Sequence, residues 1–168
     1  MTIEFRAPWG RSLKLATILS CAILLLIALS GILVRPGVGG WWLWVMVGVP
    51  TVILVSALPF LVSGYVLTEH TLEIRRFGWT TTIPLDGLVK ASGDVELLRG
   101  SLRVFGNGGL FSITGWFWNR RVGLYRAFAT DLSRVVFLKF RDRRPVLITP
   151  HDTQHFLVRV GALIAMNR

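Results

Sequence analysis

The chain has 168 residues and a formal net charge of +10, and 52% of its residues are hydrophobic while only 17% are charged. Soluble proteins carry about 25% charged residues on average, so this composition disfavours an ordinary soluble protein. Cys21 is the single cysteine, which excludes an intramolecular disulfide and any Cys₄ or Cys₂His₂ zinc site.

Two apolar runs occupy most of the first 65 residues. Residues 15–34 and 41–63 contain no charged side chain, and their lengths of 20 and 23 residues match the roughly 20 that a helix needs to cross a bilayer. Residues 35–40 lie between them, are rich in Gly and Pro, and predict a tight turn. We therefore expect a cytoplasmic segment over 1–14 and a two-helix transmembrane hairpin over 15–63, with Pro50 and Pro59 disturbing the second helix.

A cleaved signal peptide is the alternative interpretation of the first run. Arg6, Arg11 and Lys14 would form its charged region, and residues 28–30 would form a cleavage site of small residues. The apolar run continues past that site to Val34, which favours a membrane helix. A hairpin buried in a soluble protein is disfavoured, because the rest of the chain is too small to cover both helices.

Basic residues near the helix ends predict the orientation. Arg6, Arg11 and Lys14 precede the first run, and Arg75 and Arg76 follow the second within about 15 residues. The turn between the runs holds only Arg35. By the positive-inside rule, both termini are cytoplasmic in a multi-pass protein of the cell (inner) membrane. The second run opens with three tryptophans, whose indole rings favour the headgroup level and so predict an interfacial anchor, namely Trp41, Trp42 and Trp44.

Residues 64–168 differ in composition and predict a mainly β domain. From residue 65 the chain carries 15 Lys and Arg against 8 Asp and Glu. Asn107-Gly108 predicts a tight turn, and Asn119-Arg120 predicts the turn of a longer hairpin. The strand candidates are 66–67, 72–75, 80–85, 110–118, 122–129, 135–140 and 146–148, with weaker ones at 94–98 and 101–105.

The end of the chain changes to a helical period. Residues 149–152, reading Thr-Pro-His-Asp, are typical of a helix start. Phe156, Val160 and Leu163 then recur at helical spacing and predict the buried face of one C-terminal helix. We therefore expect a barrel of about seven strands closed by this helix.

Several short motifs resemble the bacterial pleckstrin-homology-like family. The resemblance covers about residues 64–160, and its most specific part is the glycine-rich centre at 106–111. It implies a pleckstrin-homology-like fold, often preceded by two membrane helices, and it implies no reaction or defined ligand. The motifs are Gly64-Tyr65-Val66-Leu67, Leu72-Glu73-Ile74, Ile83-Pro84-Leu85, Gly106-Asn107-Gly108-Gly109-Leu110-Phe111, Gly115-Trp116-Phe117, Ala129-Thr130 and Thr149-Pro150-His151-Asp152.

No pattern of catalytic or cofactor-binding residues is evident, so we expect neither an enzyme nor a cofactor. His151 and His155 lie four apart on the predicted helix, but no further ligand pattern completes a metal motif. The glycine-rich centre lacks the Gly-Lys-Ser/Thr of a phosphate-binding loop and precedes a strand, which favours a tight turn with positive φ. Asp152 is interpreted as a helix-start residue.

The basic charge favours anionic lipid over nucleic acid as a partner, because the domain is expected under the cytoplasmic leaflet. The turn at Thr68-Glu69-His70-Thr71 carries an acid, which argues against specific recognition of phosphorylated inositol lipids. The charge could also serve only topology and solubility.

Two functions are consistent with these features. The first is a membrane-anchored cytoplasmic interaction module that binds a protein or peptide partner at the inner membrane surface, assisted by anionic lipid. The second is an accessory subunit of a transporter or other membrane complex that acts through its transmembrane helices. Neither apolar run contains an ionisable side chain, which argues against an ion path. Small residues in the first run leave self-association open.

The hairpin around residues 114–121 is the predicted contact site. Alternation in a strand places Phe111, Ile113 and Phe117 on a core face, and Trp116 and Trp118 on the other. With Arg120 and Arg121 in the adjacent turn, the two indoles predict contact with the membrane or with a partner. The alternative is that a bulge shifts the register and both indoles pack into the domain.

Overall fold

A computed structural model describes residues 2–33 and 40–166. Helix α1 (Arg11–Leu33) and helix α2 (Trp41–Phe60) pack against each other, and both are long and apolar enough to cross a membrane. Trp42 Nε1 donates to the carbonyl oxygen of Gly31 at 3.2 Å, and the missing side chain of Gly31 lets the helices approach at Met46. The predicted turn with Arg35 lies almost entirely outside the described residues.

Helix α2 is irregular next to its two prolines, as the sequence predicts. Trp44–Gly48 is π-helical and directly precedes the turn that contains Pro50, which cannot donate a backbone hydrogen bond. Leu58–Phe60, which contains Pro59, is a 3₁₀ turn that ends the helix.

Ten strands and one further helix make up the rest of the described chain. The first sheet is antiparallel, with the order β1-β2-β3-β4, and the second has the order β5-β9-β10-β8-β7-β6, in which only β10 and β8 are parallel. The elements are β1 (Ile3–Arg6), β2 (Val62–Leu67), β3 (Thr71–Arg76), β4 (Thr80–Pro84), β5 (Leu88–Ser92), β6 (Leu102–Gly108), β7 (Ile113–Asn119), β8 (Gly123–Ala129), β9 (Val136–Phe140), β10 (Val146–Ile148) and α3 (Thr153–Met166).

The expectation of a closed barrel of about seven strands is corrected in two ways. Ten strands form, and the two sheets do not join into a barrel among the described residues. Sequence reasoning missed β1, which precedes the helices, and β5, which lacks a clear alternation. The candidate at 94–98 is instead a 3₁₀ turn, because the Asp94 carboxylate accepts from the backbone N–H of Glu96 at 2.9 Å.

Two apolar clusters lie on the two faces of the second sheet. The first fills the space between the sheets and includes Phe128 and Ile148, together with Phe156 and Val160 of α3, all fully buried. This confirms the predicted C-terminal helix, and Leu163 is partly buried against the same cluster. Burial of each large side chain contributes roughly 1.5–3 kcal/mol. The second cluster covers the opposite face and includes Tyr125, Phe137 and Leu147.

Candidate functional site

The glycine-rich loop at 106–111 docks helix α1 onto the β domain. The buried Thr17 hydroxyl donates to the carbonyl oxygen of Gly109 at 3.0 Å and accepts from the backbone N–H of Phe111 at 3.1 Å. Gly106 and Gly109 adopt positive φ values of 122° and 144°, in agreement with the prediction of a glycine-dependent turn. A side chain at Gly109 would press against Ala16, so glycine is also needed for the close approach of the helix.

The end of helix α2 is held by hydrogen bonds from the β3–β4 turn and from the residue before β7. Its last carbonyl groups lack partners within the helix, as at any helix C-terminus. Trp79 Nε1 donates to the carbonyl oxygen of Pro59 at 2.7 Å, and Ser112 Oγ donates to that of Phe60 at 2.6 Å. The backbone N–H of Phe77 donates to the carbonyl oxygen of Leu61 at 3.1 Å. The hairpin is therefore fixed at its base rather than joined by a loose linker.

A buried polar network links three of the motifs noted in the sequence. Tyr65 Oη donates to the carbonyl oxygen of Phe128 at 2.6 Å and accepts from the backbone N–H of Thr149 at 3.2 Å. The Thr149 hydroxyl accepts from the N–H of Thr130 at 2.9 Å, and the Thr130 carbonyl in turn accepts from Gly10, just before α1. Burial raises the pKa of Tyr65 to about 12. Thr149 therefore belongs to this buried network. Asp152 caps α3, because its carboxylate accepts from the backbone N–H of His155 at 2.9 Å.

Alternating guanidinium groups and aromatic rings form a ladder across the β domain, which we call the arginine–aromatic ladder. Its members are Trp79, Arg76, Phe128, Arg126, Trp116 and Arg144. The Arg76 guanidinium carbon lies 5.0 Å from the centre of the Trp79 ring and 4.7 Å from that of Phe128. Arg126 lies 4.8 Å from Phe128 and 5.9 Å from Trp116, and Arg144 lies 5.3 Å from Trp116.

Arg76 is unusually buried for a charged side chain. It is only 8% exposed, and its Nε atom has no hydrogen-bond partner among the residues that the structure describes. Burial, with a further contribution from the like charge of Arg126, lowers the pKa of Arg76 to about 10. The ion pairs seen in the described part of the chain involve Arg75, Arg99 and Arg134, and none of them reaches the ladder. The aromatic faces are therefore the main groups that stabilise its charges.

The predicted alternation along β7 is found in the structure. Ile113 and Phe117 pack on the second apolar cluster, whereas Trp116 and Trp118 lie on the opposite face, paired across the sheet with Arg126 and Leu124. Phe111, which the sequence also assigned to the core face, instead contacts the ring of Trp9.

The two predicted tryptophans have different environments. Trp116 is half-buried between two arginines, whereas Trp118 is 41% exposed. Arg120 and Arg121 are exposed in the turn that follows β7. Contact of these four residues with a membrane or a partner stays a prediction. Ser112 and Thr114 share the face of Trp116 and Trp118, so this face begins where helix α2 ends.

Strand β6 forms the free edge of the second sheet. It pairs with β7 on one side, and no strand in the described ranges pairs with its other side. Three large apolar side chains of β6 are strongly exposed, with fractions of 63% for Leu102, 62% for Val104 and 76% for Phe105. A register shift between Arg103 and Phe105 places Phe105 opposite Trp116, and Leu102 lies opposite Trp118. Leu102 and Phe105 therefore extend the face of Trp116 and Trp118 to the sheet edge.

The predicted anchor tryptophans lie at the far end of the hairpin. Trp41 and Trp44 are 64% and 79% exposed, whereas Trp42 is half-buried by its hydrogen bond to α1. Their place at a membrane interface stays a prediction.

His151, just before α3, and His155, within it, take part in local contacts. His155 Nε2 accepts from Arg159 Nε at 3.3 Å, and the carbonyl oxygen of His151 accepts from Arg134 at 2.7 Å. Within the described residues, no group of three or more His, Cys, Asp or Glu side chains comes together to hold a metal ion.

Sequence reasoning did not single out the arginine–aromatic ladder. In the sequence, Arg76 served only as one of the basic residues that predict the orientation of the apolar runs. The spacing of Arg126 and Phe128, which are two residues apart and so share a face of one strand, was the available signal. The partnership with Arg76 depends on contact between two different sheets, which no local pattern encodes.

Comparison with known proteins identifies the family. A family model described as Bacterial PH domain matches residues 63–162, which is more than half of the chain. No curated protein matches the chain. No solved structure matches it either. The chain belongs to the bacterial PH domain family, with a β domain fixed to the base of a two-helix apolar hairpin.

Proposed function

We propose that this protein is a membrane-anchored interaction module. The α1–α2 hairpin crosses the cell membrane and holds the β domain at its cytoplasmic face. There, the edge strand β6 binds an extended segment of a protein partner, and anionic lipid helps to orient the domain.

The surface of the hairpin supports the membrane setting. Only 11% of an apolar stretch of 18 residues in each helix is buried. Exposed apolar area costs about 25 cal/mol per Å² in water, whereas lipid would cover it without that cost. Arg11 and Lys14 are exposed at the base of α1, where they would meet lipid phosphates.

The free edge of β6 is the observation that carries the partner-binding proposal. The edge of a sheet presents unpaired N–H and C=O groups, and an apolar edge invites pairing with another chain. An extended peptide that adds to such an edge forms main-chain hydrogen bonds, while side-chain contacts provide specificity. On β6, the exposed Leu102, Val104 and Phe105 offer those side-chain contacts.

The fixed base of the hairpin gives this site a defined position. Thr17 joins α1 to the loop that directly follows β6, and Ser112 joins α2 to the start of β7. Strand β6 would therefore be held at a set height and angle to the bilayer, so a partner in the same membrane would meet it in one orientation.

Photo-crosslinking in the native cell tests this proposal. A photoreactive amino acid replaces Leu102 in the full-length protein, and the matched control carries it at Val158, which is 70% exposed on α3. We expect light-dependent adducts with a defined protein from position 102 but not from position 158. Phe105→Asp should abolish them by burying a charge against the partner, whereas Val158→Asp should leave them intact.

Adducts from the helices would point to the alternative function. If position 102 gives no protein adduct while a probe at Ile23, which is 49% exposed on α1, does give one, the helices carry the interaction. The protein would then be an accessory subunit that acts through its hairpin, and the edge-strand proposal would be wrong.

A further inference from the structure

Arg76 and Arg126 present two positive charges, and no carboxylate among the described residues forms an ion pair with either of them. Both guanidinium carbons lie within 5 Å of the centre of the same Phe128 ring, and the like charge of Arg126 is one cause of the lowered pKa of Arg76. Arg76 is more than nine-tenths buried and its Nε atom lacks a hydrogen-bond partner among the described residues. Two like charges on one aromatic ring, one of them with an unused donor, are an arrangement that an anion would stabilise.

We propose that Arg76 and Arg126 bind the phosphate group of an anionic phospholipid of the cytoplasmic leaflet. This inference rests on the membrane anchoring proposed above, and it adds a specific lipid site to that function. Trp79, Phe128 and Trp116 are the aromatic walls that hold the two guanidinium groups in place.

The chemistry of the site selects a phosphate. A guanidinium group offers planar, paired donors that match two phosphate oxygens, and this geometry is unavailable to lysine. Stacking on aromatic rings fixes the plane of each guanidinium before the ligand arrives, which lowers the ordering cost of binding. Arg144, which is exposed and lies 5.3 Å from the centre of the Trp116 ring, adds a third positive charge at the exposed end of the ladder.

The position of the ladder selects a lipid as the source of that phosphate. Trp79, whose ring covers Arg76, donates to the carbonyl oxygen of Pro59 in the last turn of α2. The buried end of the ladder is therefore attached directly to the base of the hairpin. Phe77 and Trp79 are 62% and 51% exposed there, and they would meet the glycerol and upper acyl region of a bound lipid.

The test uses the purified full-length protein in nanodiscs, without any partner protein. Thermal unfolding is compared in discs of phosphatidylglycerol and discs of phosphatidylcholine. We expect the wild type to melt about 5 °C higher in phosphatidylglycerol, since a ligand that binds only the folded state raises its melting temperature. Arg76→Gln and Arg126→Gln should each lose at least half of this difference. Arg141→Gln removes one positive charge from an exposed turn, and this variant should keep the full difference in melting temperature.

The other outcomes separate the lipid site from its alternatives. If Arg141→Gln loses as much of the difference as Arg126→Gln, diffuse surface charge explains the effect. If inorganic phosphate raises the melting temperature of protein in phosphatidylcholine discs by the same amount, a free anion is the ligand. Should Arg76→Gln fail to fold, Arg126→Gln at the half-exposed position decides the result. A wild type that does not enter nanodiscs would instead refute the membrane anchoring itself, and a normal lipid result without crosslinks from Leu102 would refute only the partner site.

Discussion

Thr17, in the second turn of α1, and Gly109, in the glycine-rich loop of the β domain, are joined by a buried hydrogen bond of 3.0 Å. The same hydroxyl also accepts from Phe111, so one side chain satisfies both a donor and an acceptor of the loop. Together with the pairing of β1 and β2 on either side of the hairpin in sequence, this contact makes the helices and the β domain one structural unit.

Replacement of Thr17 by Val should uncouple this contact. Valine keeps the shape of the side chain but leaves the carbonyl of Gly109 and the N–H of Phe111 without their partner, at a cost of about 2 kcal/mol. We expect a lower melting temperature of the full chain in detergent. Thr51→Val is the matched control, because the Thr51 hydroxyl is exposed and donates to the carbonyl oxygen of Val47 in its own helix. Equal effects of the two substitutions would show that the docking contact contributes nothing.

Gly115 should tolerate no side chain. It lies opposite Gly106 in the β6–β7 pair, and a Cβ at either position would collide with the backbone of the other strand. Its φ of 140° adds further strain for any other residue. We expect Gly115→Ala to cost about 3 kcal/mol or more. Gly123→Ala has the positive φ but open space around it, so it should cost only about 1–2 kcal/mol. Chemical denaturation of both variants measures the difference, and similar losses would contradict the proposed collision.

Among the residues of α3, Phe156 should be the one whose substitution lowers the free energy of unfolding most. It is fully buried and meets the ring of Phe5 in β1 edge to face at 5.1 Å. Phe156→Ala should therefore lower the free energy of unfolding by about 3–5 kcal/mol. The exposed Val158→Ala on the same helix should have little effect. The measurement requires the full chain, because a fragment that begins at residue 65 lacks β1 and the first half of β2. An unchanged melting temperature would mean that α3 does not pack as described.

The elements that sequence reasoning predicted well are those whose signal is local. The apolar lengths of 15–34 and 41–63, the hairpin β7–β8 and the period of α3 all depend on neighbouring residues. In contrast, β1 is a strand only because β2 returns beside it after the whole hairpin, with Phe5 opposite Tyr65. A four-residue segment carries too little pattern to reveal such a partner.

The turn at Asn107-Gly108 shows a second limit. The pair ends β6 rather than forming a two-residue hairpin turn. The Asn107 side chain accepts from the N–H groups of Gly109 and Leu110, and the chain continues into the loop that contacts α1. The ladder was missed for a related reason. Most of its guanidinium groups contact aromatic rings from other segments of the chain. A sequence pattern shows only which residues alternate along one strand.

Both termini should be reported on the cytoplasmic side of the membrane. The three basic residues before residue 15 predict this orientation, and the pairing of β1 with β2 requires the N-terminus and the β domain to share one side. A reporter that is active only in the cytoplasm should work when fused after residue 168 or before residue 1. A second reporter is active only in the periplasm. If either fusion is active with that reporter and inactive with the cytoplasmic one, the topology and the lipid site are both refuted.

Tyr65 should make the protein sensitive to alkaline pH. Burial raises its pKa from 10.0 to about 12, so the folded state holds the phenolic proton more tightly than the unfolded state. The corresponding stability, about 3 kcal/mol at most, is fully present below pH 10 and is lost as pH rises towards 12. Because the chain has only two tyrosines, Tyr125→Phe leaves Tyr65 as the single source of tyrosinate absorbance. In that variant, tyrosinate should form only as circular dichroism reports unfolding, well above pH 10. A folded protein whose tyrosinate appears with a midpoint near pH 10 would show that Tyr65 is accessible to solvent and outside the buried network with Thr149.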